Sequence, residues 1–124
     1  MLIDTSILIA EWRRDRRAVA LVRAISRGRV CYVASITRFE MFAGAGPKQI
    51  VDTTAFLDRF MTLDLDASTA DLAGQLGWAH RATHGKKAAD LLVAATAIGH
   101  RLQLVTYNQN DFPMPRIKLY PVSR

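Results

Sequence analysis

The sequence predicts an α/β fold, a central parallel sheet of four to five short strands with helices on both faces. Three observations carry this. Short apolar runs alternate with amphipathic stretches of helical period along the chain, the pattern of a parallel sheet with crossover helices. The run Ala88 to Gly99 is apolar on nearly every side, as a helix covered by protein must be. Polar residues follow the apolar runs directly, as Asp4 follows Met1-Leu2-Ile3. In an open parallel sheet such residues collect at the carboxyl ends of the strands, where chemistry is done.

Met1 to Ile3 reads as the first strand, Asp4-Thr5-Ser6 as its turn and Ile7 to Arg14 as a helix. Asp4 has two readings at this stage, a helix N-cap or a site carboxylate. Arg13, Arg14, Arg16 and Arg17 surround Asp15, either as a solvated face or as a phosphate-binding rim close to Asp4. Ala18 to Arg27 continues as a helix, stopped by Gly28. Val30 to Ala34 is the second strand, with Cys31 a small core residue. Ser35, as N-cap, opens a helix to Gly44. On that helix Glu40 stands among Ile36, Thr37, Ala43 and Gly44. A carboxylate on so small a face is either half-buried, and then needs a partner, a proton or a metal, or simply exposed.

Gln49 to Phe60 reads as an amphipathic helix, with Ile50, Phe56, Leu57 and Phe60 on its apolar side. Met61 to Leu65 reads as a third strand, and Asp64 and Asp66 as turn and cap residues. Ser68 to Thr83 is a long helix; His80 and His84 near its end suit the helix dipole. His84 to Lys87 is a turn. Asp90 lies in the first turn of the apolar helix, where it serves the dipole or a pocket. Leu102 to Thr106 is the fourth strand. Asp111 sits in the polar loop after it, as an Asx-turn residue before Phe112-Pro113 or as a site acid. Ile117 to Tyr120 closes the sheet at its edge.

The 124 residues form one domain of common size, 1–124. A single cysteine rules out an internal disulfide and suits a reducing cytoplasm. No apolar stretch reaches the roughly 20 residues of a membrane span. The net charge is +6, with arginine outnumbering lysine. Such a surface favours a polyanion, and the planar guanidinium can donate two bonds to one phosphate. Asp4, Glu40, Asp90 and Asp111, if brought together, would repel one another unless a hard cation sat among them. Mg²⁺ or Mn²⁺ takes oxygen ligands and can activate water for phosphodiester cleavage.

Four blocks then resemble the PIN-domain family, and within it the VapC-type toxins of bacterial toxin–antitoxin pairs. They are Ile3-Asp4-Thr5-Ser6-Ile7-Leu8-Ile9, Ser35 to Gly44 around Glu40, Asp90 to Ala97, and Leu104 to Phe112. The resemblance covers essentially the whole chain. It implies a metal-dependent endoribonuclease with Asp4, Glu40, Asp90 and Asp111 as its acidic residues. Of these, Asp4, Asp90 and Asp111 would be the metal ligands, with Thr5, Ser6 and Thr106 as small polar support. It also implies an RNA substrate, a cognate antitoxin and a homodimer. The chain departs from the family in having Glu40-Met41 where Glu-Leu is frequent, and Tyr107-Asn108 where Arg-Asn is common. A PIN-like domain that binds RNA or protein without cleaving is the alternative. A receiver-type signalling domain is excluded, because Thr5 follows Asp4 where an acidic pair is needed and Tyr107 follows Thr106 where a lysine is needed. A partner helix would find Leu8, Ile9 and Trp12 on one face, with Met41 and Phe42 opposite, unless these are core residues.

Overall fold

The computed structural model describes residues 1–82 and 87–122. Its strands are β1 (Leu2–Ile3), β2 (Tyr32–Ala34), β3 (Met61–Leu63) and β4 (Leu104–Val105). They form one parallel sheet in the order β3-β2-β1-β4. The helices are α1 (Thr5–Trp12), α2 (Arg16–Ser26), α3 (Ser35–Ala45), α4 (Ile50–Leu57), α5 (Ala67–Ala79) and α6 (Ala88–Gly99).

Strands of two or three residues still present two faces, because successive side chains point to opposite sides. Leu2, Ala34 and Leu104 face one core with Ala73 and Leu76 of α5 and the buried side of α6. Ile3, Val33 and Val105 face a second core with Ile7 and Leu8 of α1, Val22 and Ile25 of α2, Met41 of α3 and Leu57 of α4. This is the expected layering, with helices on both faces. Cys31 is buried in the second core.

The helix starts are set largely by aspartates. Asp4, Asp15 and Asp66 each accept backbone N–H bonds from the first turn of the following helix, Asp15 from Arg17 and Ala18 at 3.0 and 3.1 Å. Such caps satisfy donors that the helix itself leaves orphaned. The carboxyl of Asp66 is held below its ordinary value, first by the backbone N–H of Thr69 and further by the Thr69 and Ser68 side chains. Gly28 follows α2 at φ +70°, a conformation that costs other residues a steric penalty.

Several boundaries move. Helix α1 begins at Thr5 and not Ile7, since Asp4 caps it directly. Ser35 is not the cap of α3: Ala34 holds that position, and the Ser35 hydroxyl accepts the Leu65 N–H at 3.1 Å, tying the end of β3 to the neighbouring helix. Helix α4 is shorter than expected, and Ile50 at its start is exposed. The closing edge strand reduces to a parallel bridge between Leu104 and Leu119, with Lys118 O accepting from Leu104 N and Leu104 O from Tyr120 N, both at 2.8 Å. Helix α5 ends at Ala79, with His80 as its C-terminal cap; His84 and most of the expected turn lie outside the described residues. No helix among the described residues is long and apolar enough to cross a membrane.

Candidate active site

β1 and β4 are neighbours, and the Asp4 N–H donates to Val105 O at 2.9 Å. The residues that follow the two strands therefore meet. Asp4 is 5% exposed and its Oδ2 accepts two short hydroxyl bonds, from Thr106 Oγ1 at 2.7 Å and Ser6 Oγ at 2.8 Å, besides the Ser6 N–H at 3.4 Å. Each hydroxyl in turn accepts a backbone N–H from the segment after β4. Tyr107 N–H donates to Ser6 Oγ at 3.1 Å and Asn108 N–H to Thr106 Oγ1 at 3.0 Å. Both hydroxyl protons are thus aimed at the carboxylate, and the chains of bonds polarise one another. All three bonds fall on Oδ2, which leaves Oδ1 as the acceptor for another partner.

The next residue carries the network to α3. Thr5 Oγ1 donates to Glu40 Oε1 at 2.7 Å and stands 3.1 Å from the fully buried Thr37 hydroxyl. Glu40 is half-buried, so the reading of a carboxylate in need of a partner holds, and that partner is a hydroxyl. Thr37 belongs to this network and was not among the sequence candidates; its position three residues before Glu40, on the same helix face, was the available signal.

Asp90 is half-buried in the first turn of α6. Asp111 lies in a short 3₁₀ turn, Gln109–Asp111, and its Oδ1 is 3.4 Å from Lys87 Nζ, the side chain of the residue that caps α6. The Lys87–Asp111 pair joins the start of α6 to the segment after β4. Sequence reasoning missed it, because a lysine beside a turn carries no mark of its distant partner. Two clefts border the area. An open polar one of about 330 Å³ is lined by Tyr107, Asn108, Gln109, Asn110, Asp111 and Val122. The other, about 380 Å³, holds Ile9, Trp12, Arg13, Glu40, Met41 and Thr53 among its lining residues.

The structure thus brings Asp4 and Glu40 together through Thr5, with Ser6 and Thr106 in support. It does not gather the four acids into a closed cage: among the described residues, no group of three or more His, Cys, Asp or Glu side chains is placed to hold an ion. Arg13, Arg14, Arg16 and Arg17 are all exposed, and Arg14 is in the left-handed region at φ 62°. The carboxylate of Asp15 is engaged by the α2 backbone. The apolar face expected for a partner is corrected in part. Leu8 and Met41 are buried in the second core, and Phe42 and Trp12 are partly buried against it; of these, Trp12 and Met41, together with the exposed Ile9, line the cleft beside Glu40. Trp12 is also anchored, its ring meeting that of Phe56 edge-on at 5.0 Å.

Comparison with known proteins gives concordant matches. A family model described as "PIN domain" matches residues 1–117. "Ribonuclease VapC19" of Mycobacterium tuberculosis is 32% identical over 115 residues, covering 91% of this chain and 92% of that protein. Among solved structures, a "Toxin-antitoxin complex from Klebsiella pneumoniae" superposes with a TM-score of 0.80 at 28% identity, covering 98% of both chains. FitAcB from Neisseria gonorrhoeae superposes at 0.73 and 26% identity, covering 97% of this chain and 96% of that one.

Proposed function

Because the chain belongs to the PIN-domain family, we propose that it is a metal-dependent endoribonuclease, the toxin half of a toxin–antitoxin pair, acting in the cytoplasm as a single domain. The observation that carries the reading is Asp4: a buried carboxylate at the junction of two parallel strands, with one oxygen held by Thr106 and Ser6 and the other directed elsewhere.

The donor set fits a small hard cation. Mg²⁺ commonly takes one or two protein carboxylates, several waters and substrate phosphates instead of a full protein cage. Oxygen donors on Asp4, Asp90 and Asp111 suit Mg²⁺ or Mn²⁺, whereas softer ions prefer sulfur or imidazole. When bound, such an ion supplies activation of water and stabilises charge on the leaving oxygen. The chain's own residues do the rest. Ser6 and Thr106 orient Asp4, and Thr5 orients Glu40 within hydrogen-bonding reach of the same turn. The Lys87–Asp111 pair is an exposed one of the kind that exchanges partners at little cost. Arg13 lines the cleft that holds Glu40, which supports the reading that it and its exposed neighbours Arg14, Arg16 and Arg17 take the phosphates of RNA.

The same cleft suits the antitoxin. Ile9 and Trp12 offer a partly exposed apolar strip rimmed by Arg13 and Glu40 and floored by Met41, which an amphipathic helix can cover. A cation carried by that partner would compete for the carboxylates directly. A homodimer belongs to the same reading and is tested by light scattering on the purified chain. The decisive experiment is digestion of total RNA with and without Mg²⁺. Cleavage abolished in chelator and abolished in Asp4→Asn and Asp90→Asn supports the reading. Binding without cleavage under every metal condition would make this a non-cleaving PIN-like domain.

A further inference from the structure

Trp78 near the end of α5 is 69% exposed and belongs to neither core. The Arg81 guanidinium carbon lies 3.8 Å over its ring centroid, and Arg81 Nη1 donates to Trp78 O at 2.8 Å, which fixes the cation on one face of the indole. The surroundings are small and open. Gly74, Ala79 and Ala82 are exposed, and a Cβ at Gly74, one turn before Trp78, would meet nothing within 4 Å. The platform lies at the end of a helix that packs on α6, the helix that carries Asp90. At Gly77 an added Cβ would come within 3.1 Å of Leu91 Cδ1, so the end of α5 rests on the first turns of α6.

A large aromatic left in water, with a cation pinned on one face, is the arrangement that takes an unpaired nucleobase. Stacking uses the free ring surface, and Arg81 supplies charge for the adjoining phosphate. An apolar protein partner would find a single indole capped by a guanidinium, beside the exposed polar Gln75 and Asp71, on a chain of net charge +6. Resting on the ribonuclease reading above, we infer that Trp78 and Arg81 form a base-stacking platform that selects single-stranded RNA.

The test uses the full chain in an Asp4→Asn background, so that RNA is bound without being cut. The probes are a fluorescein-labelled unstructured RNA oligonucleotide and the same strand annealed to its complement, read by anisotropy across a salt series. Trp78→Ala is expected to weaken single-strand binding about 5- to 100-fold, with duplex binding and melting temperature unchanged. Trp78→Phe should recover most of the affinity. Salt dependence should be unaltered by Trp78→Ala and flattened by Arg81→Gln. Equal single-strand affinity for Trp78→Ala and its parent overturns the inference while leaving the nuclease reading standing. So does a Trp78→Ala chain that changes oligomeric state with RNA affinity intact, since Trp78 would then face a second copy. If the chain without the Trp78 change binds neither probe, and the unsubstituted chain cuts no RNA, both readings fail together.

Discussion

The Thr106→Val substitution isolates the hydroxyl that holds Asp4. Thr106 is fully buried, and valine nearly reproduces its shape while removing the 2.7 Å donor. A hydrogen bond to a charged group contributes about 1.5–3 kcal/mol. Exchanging a hydroxyl for a buried methyl returns about 0.8 kcal/mol of apolar transfer. The Asn108 N–H is deprived of its acceptor but belongs to an exposed residue and can turn to water. The expected net destabilisation is about 1–2 kcal/mol. For a domain of this size that is a fall in Tm of about 4–8 °C, read by circular dichroism in chelator. Cavity effects are removed by a double-mutant cycle: in an Asp4→Asn background the same substitution should cost about 1 kcal/mol less, because the charge that the hydroxyl serves is gone. An identical cost in both backgrounds would refute the claim that Thr106 acts through Asp4.

Other substitutions probe the rest of the site. If the carboxylates crowd together in the metal-free chain, Asp90→Asn leaves its Tm unchanged or raised, and it should reduce the stabilisation by Mn²⁺ expected for the unsubstituted chain; strong destabilisation without metal would assign Asp90 to the helix dipole instead. Neutralising Arg13, Arg14, Arg16 and Arg17 should flatten the salt dependence of RNA binding by roughly 0.7 for each phosphate no longer neutralised, and an unchanged slope would make them a solvated face. Trp12→Ala should weaken antitoxin binding more than it weakens RNA cleavage by the free chain; equal weakening of both with a large drop in Tm would make packing on Phe56 its whole role. The lowered Asp66 carboxyl contributes stability that is present above the ordinary carboxylate pKa and disappears as pH falls through the folded value. The fall in Tm between neutral pH and about pH 3 should therefore be smaller for Asp66→Asn than for the unsubstituted chain, and an equal fall would show that the Asp66 charge is immaterial.

The layers of the fold were legible because burial leaves a mark on composition. The run from Ala88 to Gly99 reads as a covered helix and is one, within the same bounds. Cap aspartates at Asp66 and Asp4 were readable for a local reason, the short carboxylate ahead of a helical pattern. Strand ends were not, because two-residue strands such as β1 and β4 carry too few positions for an alternation to show. Ser35 misled because a hydroxyl before an apolar run is the usual cap signature, yet its partner, Leu65, arrives 30 residues later. Leu8 and Met41 went to the core because helical spacing alone does not say which side of a stripe is covered. In the site, the acids could be singled out by type and place. Their mutual arrangement could not, since Thr5 meets Glu40 across 35 residues and Thr106 meets Asp4 across 102.

The distance along the chain between Asp4 and Thr106 has a consequence for synthesis on the ribosome. β1 and its aspartate emerge first, and β2 follows soon enough to pair with β1 at Leu2 and Tyr32. The other neighbour of β1 is β4, and the hydroxyl that fixes Asp4 comes only with Thr106. A nascent chain that has not yet reached β4 therefore has the acid but not the hydroxyl that fixes it. Assembly of the centre thus waits for β4, and a chain interrupted before β4 carries Asp4 without the Thr106 hydroxyl that orients it.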